Sequence, residues 1–210
     1  MNKRIRNLFI LGLLCIFMIL GLTACGEDGI KVSSTNALAR KLASDSAVKI
    51  NVSKDMILDE PIVINGEKEI VGSGKIVAAI EDSEELYMIT VADGGKLTIG
   101  GSVKIDASGL MGAVHVQKGG SAIVKGKAVV KNASIVAANA LVEGSLEVQG
   151  GNLKAAKGHN VINKNTTTIS GGKVTGSGEK YAGIYNEGTL SQTGGKVSEA
   201  YNNISNMKGS

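Results

Sequence analysis

The chain has 210 residues, with 29 Gly, one Pro, no Trp and a 43% hydrophobic fraction, which is enough apolar material for one ordered domain and too much for a disordered tail. Aromatics are only 3% of it, so β-branched residues must fill the core. The formal net charge of +4 comes from 23 basic and 19 acidic residues; no Arg follows Arg40 and no basic cluster alternates with aromatics, so nucleic acid is excluded as an expected partner.

Lys3, Arg4 and Arg6 precede an uncharged, mostly apolar run from Leu8 to Leu22. A basic segment before an apolar stretch too short to cross a bilayer comfortably predicts an export signal over 1–24. The run ends in Leu22-Thr23-Ala24-Cys25, which resembles the bacterial lipobox. The resemblance implies cleavage before Cys25, acylation of that cysteine, and a lipid anchor on the extracytoplasmic face of the cell membrane, the acyl chains contributing about 0.8 kcal/mol per buried CH₂. The other cysteine, Cys15, lies inside the leader, so the mature chain is expected to hold no disulfide and no thiolate metal site. Loss of Lys3, Arg4 and Arg6 leaves 20 basic against 19 acidic residues, and the basic balance belongs mostly to the leader.

Residues 25–34 read as a tether. Leu38, Ala39, Leu42 and Ala43 recur at helical spacing and predict a short amphipathic helix within 35–46, suited to cover the first open edge of a following sheet.

From Val48 onward short apolar alternations are broken by Gly, Asn and Ser. Alignment on the turn asparagine of "IYNEG" places Val91, Val116, Ala140, Val161, Ile184 and Ile204 in one phase. Six residues on come Leu97, Ala122, Leu146, Thr167 and Leu190, then Ile99, Val124, Val148, Ile169 and Gln192; past the glycine turn come Val103, Ala128, Leu153, Val174 and Val197. A unit of 20–25 residues that cannot bury its own apolar face must stack on copies of itself. With no helix inside the unit, the stack must be all-β. A β-sandwich is the alternative, but of the hairpin signals it would need only Asn65-Gly66 is present.

The stretch "VKINVSKDMILDEPIVINGEKEIVGSGKI" and the units "GIYNEGTL…GGKV" resemble the right-handed parallel β-helix proteins, the pectate-lyase-like architecture also found on bacterial surfaces. The resemblance implies an all-β, right-handed parallel β-helix of about 6–7 coils over 47–210, preceded by a capping helix. No plug follows "NISNMKGS", so the last coil is expected to be incomplete, continuing in further coils or associating end to end.

Asn163, Asn186 and Asn206 share one phase, with Asp93, Lys118 and Val142 in that phase earlier. This resembles the asparagine ladder of β-helices and is expected to be structural, since Asn in turns bonds local backbone. Lys75, Lys127, Lys173 and Lys196 follow turn glycines and are expected to line one solvated face, a stripe that an anionic wall polymer could use. Gln192 stands in an otherwise apolar inward column, so it needs a hydrogen-bond partner or a local shift of register.

Enzymes of this architecture gather carboxylates with Arg or Lys on one sheet. Here the aspartates from Val91 onward are only Asp93 and Asp106, and the glutamates do not recur in phase. Glu81, Asp82, Glu84 and Glu85 read as a solvated loop between coils. His115 and His159 read as lone exposed histidines. No catalytic residue, metal site or cofactor is therefore expected. The leading expectation is a non-catalytic adhesin or glycan-binding module; a polysaccharide lyase or hydrolase, or a structural envelope protein, are the alternatives. A glycan needs an aromatic face, which makes Tyr181, Tyr185 and Tyr201 the binding candidates, with Tyr181 and Tyr201 in one column.

Overall fold

The computed structural model describes residues 29–80, 87–133, 137–178 and 180–207. The leader, Cys25 and the acidic run Glu81–Glu85 lie outside the described residues.

Within the expected tether, Ile30–Val32 forms a strand (β1). Helix α1 follows at Thr35–Ala43, capped by Ser34, whose hydroxyl accepts the Ala37 N–H at 3.3 Å. The helix stops three residues short of the expected 46 because Ser44 is already extended, its hydroxyl donating to the Lys41 carbonyl at 2.8 Å. Leu38 and Leu42, one turn apart, are fully buried and close the first coil.

The chain then winds through seven coils of three short strands. These are β2–β4 (Val48–Val52, Met56–Leu58, Ile62–Ile64), β5–β7 (Glu67–Gly72, Lys75–Ala78, Tyr87–Val91), β8–β10 (Lys96–Ile99, Lys104–Asp106, Gly112–Val116) and β11–β13 (Ser121–Val124, Val129–Asn132, Ala140–Val142). The last three coils are β14–β16 (Ser145–Val148, Asn152–Ala155, Val161–Asn163), β17–β19 (Thr166–Ile169, Lys173–Thr175, Ala182–Asn186) and β20–β22 (Thr189–Gln192, Lys196–Ser198, Asn202–Asn206). Each strand pairs in parallel with its counterparts above and below, giving three sheets: sheet I from β1 and β2 to β20, sheet II from β4 to β22, and sheet III from β3 to β21. The fold is an all-β parallel solenoid with one short helix near its N-terminus.

Inward columns fill the bore. Sheet I contributes Ile50, Ile70, Ile99, Val124, Val148 and Ile169; sheet III contributes Met56, Ile76, Ile105, Val130, Leu153 and Val174. All twelve are buried, because alternate residues of a strand face the same side. The glycine pairs at the corners divide the work: Gly172 has φ of +69°, a region that Cβ disfavours, while a Cβ on its neighbour Gly171 would run into the Gln149 carbonyl of the preceding coil.

The register corrects several phases expected from spacing. Val91 and Val116 pair with Val142 and with Asn163 beyond it, while Ile89 and Val114 pair with Ala140, Val161 and Ile184. The reason is turn length. Between sheets II and I the corners at 92–95 and 117–120 have four residues and the others two (65–66, 143–144, 164–165, 187–188), so stepping back a fixed distance lands two residues off. Asp93 and Lys118 therefore sit in the longer corners, not in the asparagine column. Val103 and Ala128 are buried corner residues preceding the paired Ile105 and Val130. Gln192 keeps its register opposite Ile169 and is exposed, β20 being the last strand of sheet I among the described residues. A hollow of about 450 Å³ there is lined by Asn186, Leu190, Gln192, Ile204 and Asn206.

One charged side chain enters the bore. Lys68 stands in the column of Val48 and Leu97 and is fully buried; its ammonium donates to the Ser46 carbonyl at 2.5 Å, tying the segment after α1 to the second coil. Burial lowers its pKa against the attraction of Asp45.

Candidate functional site

The outer face of sheet II carries the chemistry that distinguishes this solenoid. One outward column runs Val63, Thr90, His115, Leu141, Ile162, Tyr185 and Ser205. A second lies near the starts of the strands: Tyr87 pairs with Gly112, and extending the pairing two residues upstream of Ala140, Val161 and Ile184 adds Ala138, His159 and Ala182.

Two ring pairs result, built to one plan. Tyr87 packs on His115 of the next coil with centroids 5.3 Å apart and planes at 43°. His159 packs on Tyr185 of the next coil at 5.1 Å and 42°. The residue types are exchanged while the geometry repeats. Each first ring needs a small neighbour below it: a Cβ on Gly112 would meet the Tyr87 ring, and at the equivalent place Ala182 donates its N–H to His159 Nδ1 at 3.0 Å. The pairs are three coils apart, about 14 Å at ordinary strand spacing, with half-buried Leu141 and Ile162 between them.

Electrostatics differ at the two ends. At the upper pair, His115 Nε2 lies 2.9 Å from Glu143 Oε2, and Lys164 Nζ is 3.7 Å from Oε1. The bond with His115 is the main cause holding the Glu143 carboxyl below its ordinary pKa, so it is an anion at neutral pH. Burial, then the charge of Glu143, pushes the Tyr87 phenol up, so it stays a neutral donor. At the lower pair burial depresses the His159 pKa, and the amide donated to Nδ1 requires a lone pair there, so the ring is neutral with its hydrogen on Nε2.

Tyr181 joins the lower pair, its ring 5.3 Å from His159 and edge-on at 82°. Tyr185 donates to Met207 Sδ at 2.8 Å. Tyr201 occupies the position after Tyr181 in the stack, one residue before the paired Ala182 and Asn202, and is 71% exposed. Neither histidine is the lone exposed residue expected from the sequence: both are half-buried and ring-packed. Reasoning by spacing missed this because the ring partners lie 22 to 28 residues away in the chain and meet their histidines only across a coil step.

Asn163, Asn186 and Asn206 are in register. Asn163 Nδ2 donates to Asn186 Oδ1 at 2.6 Å and to the Thr189 carbonyl at 2.9 Å, and Asn186 Nδ2 donates to Asn206 Oδ1 at 3.0 Å. These groups tie successive corners together. A second, shorter series escaped the sequence reading: Asn139 Nδ2 donates to Asn160 Oδ1 at 3.0 Å and to the Val130 carbonyl at 3.0 Å, and Asn160 Nδ2 to the Leu153 and Thr175 carbonyls at 2.6 and 2.8 Å. Both residues are buried.

Among the described residues no group of three or more His, Cys, Asp and Glu could hold a metal ion, and no helix is long and apolar enough to cross a membrane. The chain matches no family model, no curated protein and no solved structure.

Proposed function

We propose that the protein is an exported, lipid-anchored, non-catalytic surface module of adhesin type that binds a glycan along the outer face of sheet II. The observation that carries this reading is the repeated ring pair. The half-buried His115 at one end, with Tyr87 buried beside it, and His159 with Tyr185 at the other stand about 14 Å apart, bridged by Leu141 and Ile162, and suit an extended ligand with apolar ring faces and hydroxyl edges. Tyrosine offers both an apolar face and a polar tip. Glu143 supplies an ionised acceptor and the neutral His159 a donor, and both are polar groups that fix the orientation of a sugar. The anchor rests on the Leu22-Thr23-Ala24-Cys25 motif and its apolar leader.

The test is a glycan array probed with the full chain, repeated with Tyr185→Ala and Tyr201→Ala. Each variant is expected to lose about tenfold in affinity, the scale of one aromatic contact, while Tyr201→Ala, being exposed, leaves the thermal melt unchanged. Retention of the same glycan at full affinity by both variants would overturn the site, and release of unsaturated or reducing sugar from a bound polymer would overturn the non-catalytic assignment. For the anchor, Cys25→Ser is expected to move the protein out of the membrane fraction, and Cys15→Ser is not; unchanged membrane association of the first variant removes the lipid-anchor reading.

A further inference from the structure

The three outer faces differ in charge. Sheet I mixes signs, with Glu69 contacting Lys49 at 3.8 Å and Lys125 at 2.9 Å. Sheet II holds few charges. Sheet III carries Lys75, Lys104, Lys131, Lys154, Lys173 and Lys196 at outward register positions, against Asp106 within its strands and, among the described residues flanking them, Asp55, Asp59 and Glu60 around β3 and Glu199 after β21. Lys127, which spacing had placed in this column, lies instead in the corner two residues before Val129, and Lys104 takes the position opposite Lys75.

The aspartates do not neutralise the face evenly. Asp55 accepts the backbone N–H of Lys75 at 2.9 Å. Asp106 Oδ2 takes two ammonium groups at once, Lys75 at 3.0 Å and Lys131 at 2.9 Å. These contacts all serve the first four coils; Glu199, exposed directly after β21, makes no ion pair among the described residues. In the last three, Lys154, Lys173 and Lys196 stand on successive coils, all exposed, and among the described residues none has an ion-pair partner. Lys173 and Lys196 are direct register neighbours, a like-charge contact that destabilises a sheet and that a bound anion would relieve.

We infer that this half of sheet III is a docking surface for a linear polyanion with phosphate charges along its backbone, running obliquely across the last three coils. Lys173 and Lys196 follow each other in one column, one coil of about 4.8 Å apart, while Lys154 stands one coil earlier and two strand positions along, in register with Thr175; the charges run obliquely over three coils, a spread that matches a chain of repeated charges and not a single small anion. They are lysines without one arginine, so recognition is by charge density, each ammonium a point cation, the form in which lysine binds phosphate. The face has no aromatic residue for stacking bases, which separates it from nucleic-acid readers. The surface is independent of sheet II, so either assignment stands without the other.

The experiment uses the full chain and long-chain inorganic polyphosphate as probe, at salt from 50 to 300 mM, with three proteins: wild type, K154Q/K173Q/K196Q, and the equal-charge control K31Q/K41Q/K118Q at exposed sites elsewhere. The wild type is expected to bind with an affinity that falls steeply with salt. The first triple variant should lose at least tenfold and show a shallower salt slope, because fewer counterions are released, while the control stays within about twofold. Equal losses in both triple variants would reduce the effect to net charge and overturn the surface. So would failure of the wild type to bind polyphosphate at 50 mM salt, or binding to phosphatidylglycerol vesicles without binding polyphosphate, which would assign the face to a bilayer. Glycan-array binding should be unchanged in K154Q/K173Q/K196Q.

Discussion

Replacing Asp106 by Asn removes one charge from a well-satisfied position and almost no volume. Asp106 Oδ1 accepts the Ser108 N–H at 3.2 Å and hydroxyl at 2.7 Å, which Asn can keep. Oδ2 receives Lys75 and Lys131, and Asn would turn an amide NH₂ toward two ammonium groups. A charge-assisted hydrogen bond contributes about 1.5–3 kcal/mol. The carboxylate is only 7% exposed, but the two lysine side chains are 35% and 42% exposed, so solvent screening roughly halves the gain. The expected loss is about 2–3 kcal/mol at pH 7, or about 5–10 °C in Tm for a chain of this size. Burial opposes the charge of Asp106, but the hydrogen bonds from Lys131, Ser108 and Lys75 outweigh it and hold the carboxyl well below the usual carboxylate range. A depressed folded pKa contributes stability that is complete above the unfolded value, near 4, and is lost as pH falls toward the folded one. Urea unfolding followed by far-UV circular dichroism should therefore show the gap between wild type and Asp106→Asn narrowing below about pH 4. A gap under about 0.5 kcal/mol at pH 7, or one of equal size at pH 7 and pH 2, would refute the reasoning.

Two further outcomes follow from buried polar groups. Asn186→Ala breaks two ladder bonds, each contributing about 0.5–1.5 kcal/mol, so the variant should lose about 2 kcal/mol; amide exchange should quicken in the coils of β17–β22 and stay unchanged in β2–β7, because a solenoid transmits stability mainly between neighbours. Lys68→Met removes a buried ammonium together with its bond to Ser46 and should stay within about 1 kcal/mol of wild type at pH 7. Since the folded pKa of Lys68 is below 10.5, the unfolded chain binds more protons between the two values. Wild-type stability should rise with pH through that window, and the rise should be missing in Lys68→Met when both are titrated by urea unfolding.

Lys68 also marks a limit of pattern reading, since a lysine in the phase of Val48 and Leu97 cannot be recognised as buried until the Ser46 carbonyl is placed at its tip. The sequence by itself determined that this chain is a β-solenoid: units of 20–25 residues with alternating apolar positions, glycine corners and almost no hairpin signal bury their faces by stacking on copies of themselves. It determined the helix ahead of the coils, from Leu38 and Leu42, and the common phase of Asn163, Asn186 and Asn206, because the last corners have equal length. Where corner length changes, at 92–95 and 117–120, spacing lost the register by two residues, since pairing is decided by hydrogen bonds between coils and not by distance along the chain. Only the tertiary structure brought Tyr87 to His115 and His159 to Tyr185, and only it gave Lys75 and Lys131 a shared partner in Asp106 while leaving Lys154, Lys173 and Lys196 without an ion pair among the described residues. The cause is common to both: a solenoid makes its outer surface from residues one coil apart, and which side chains meet there depends on corner lengths that an alternating pattern does not record.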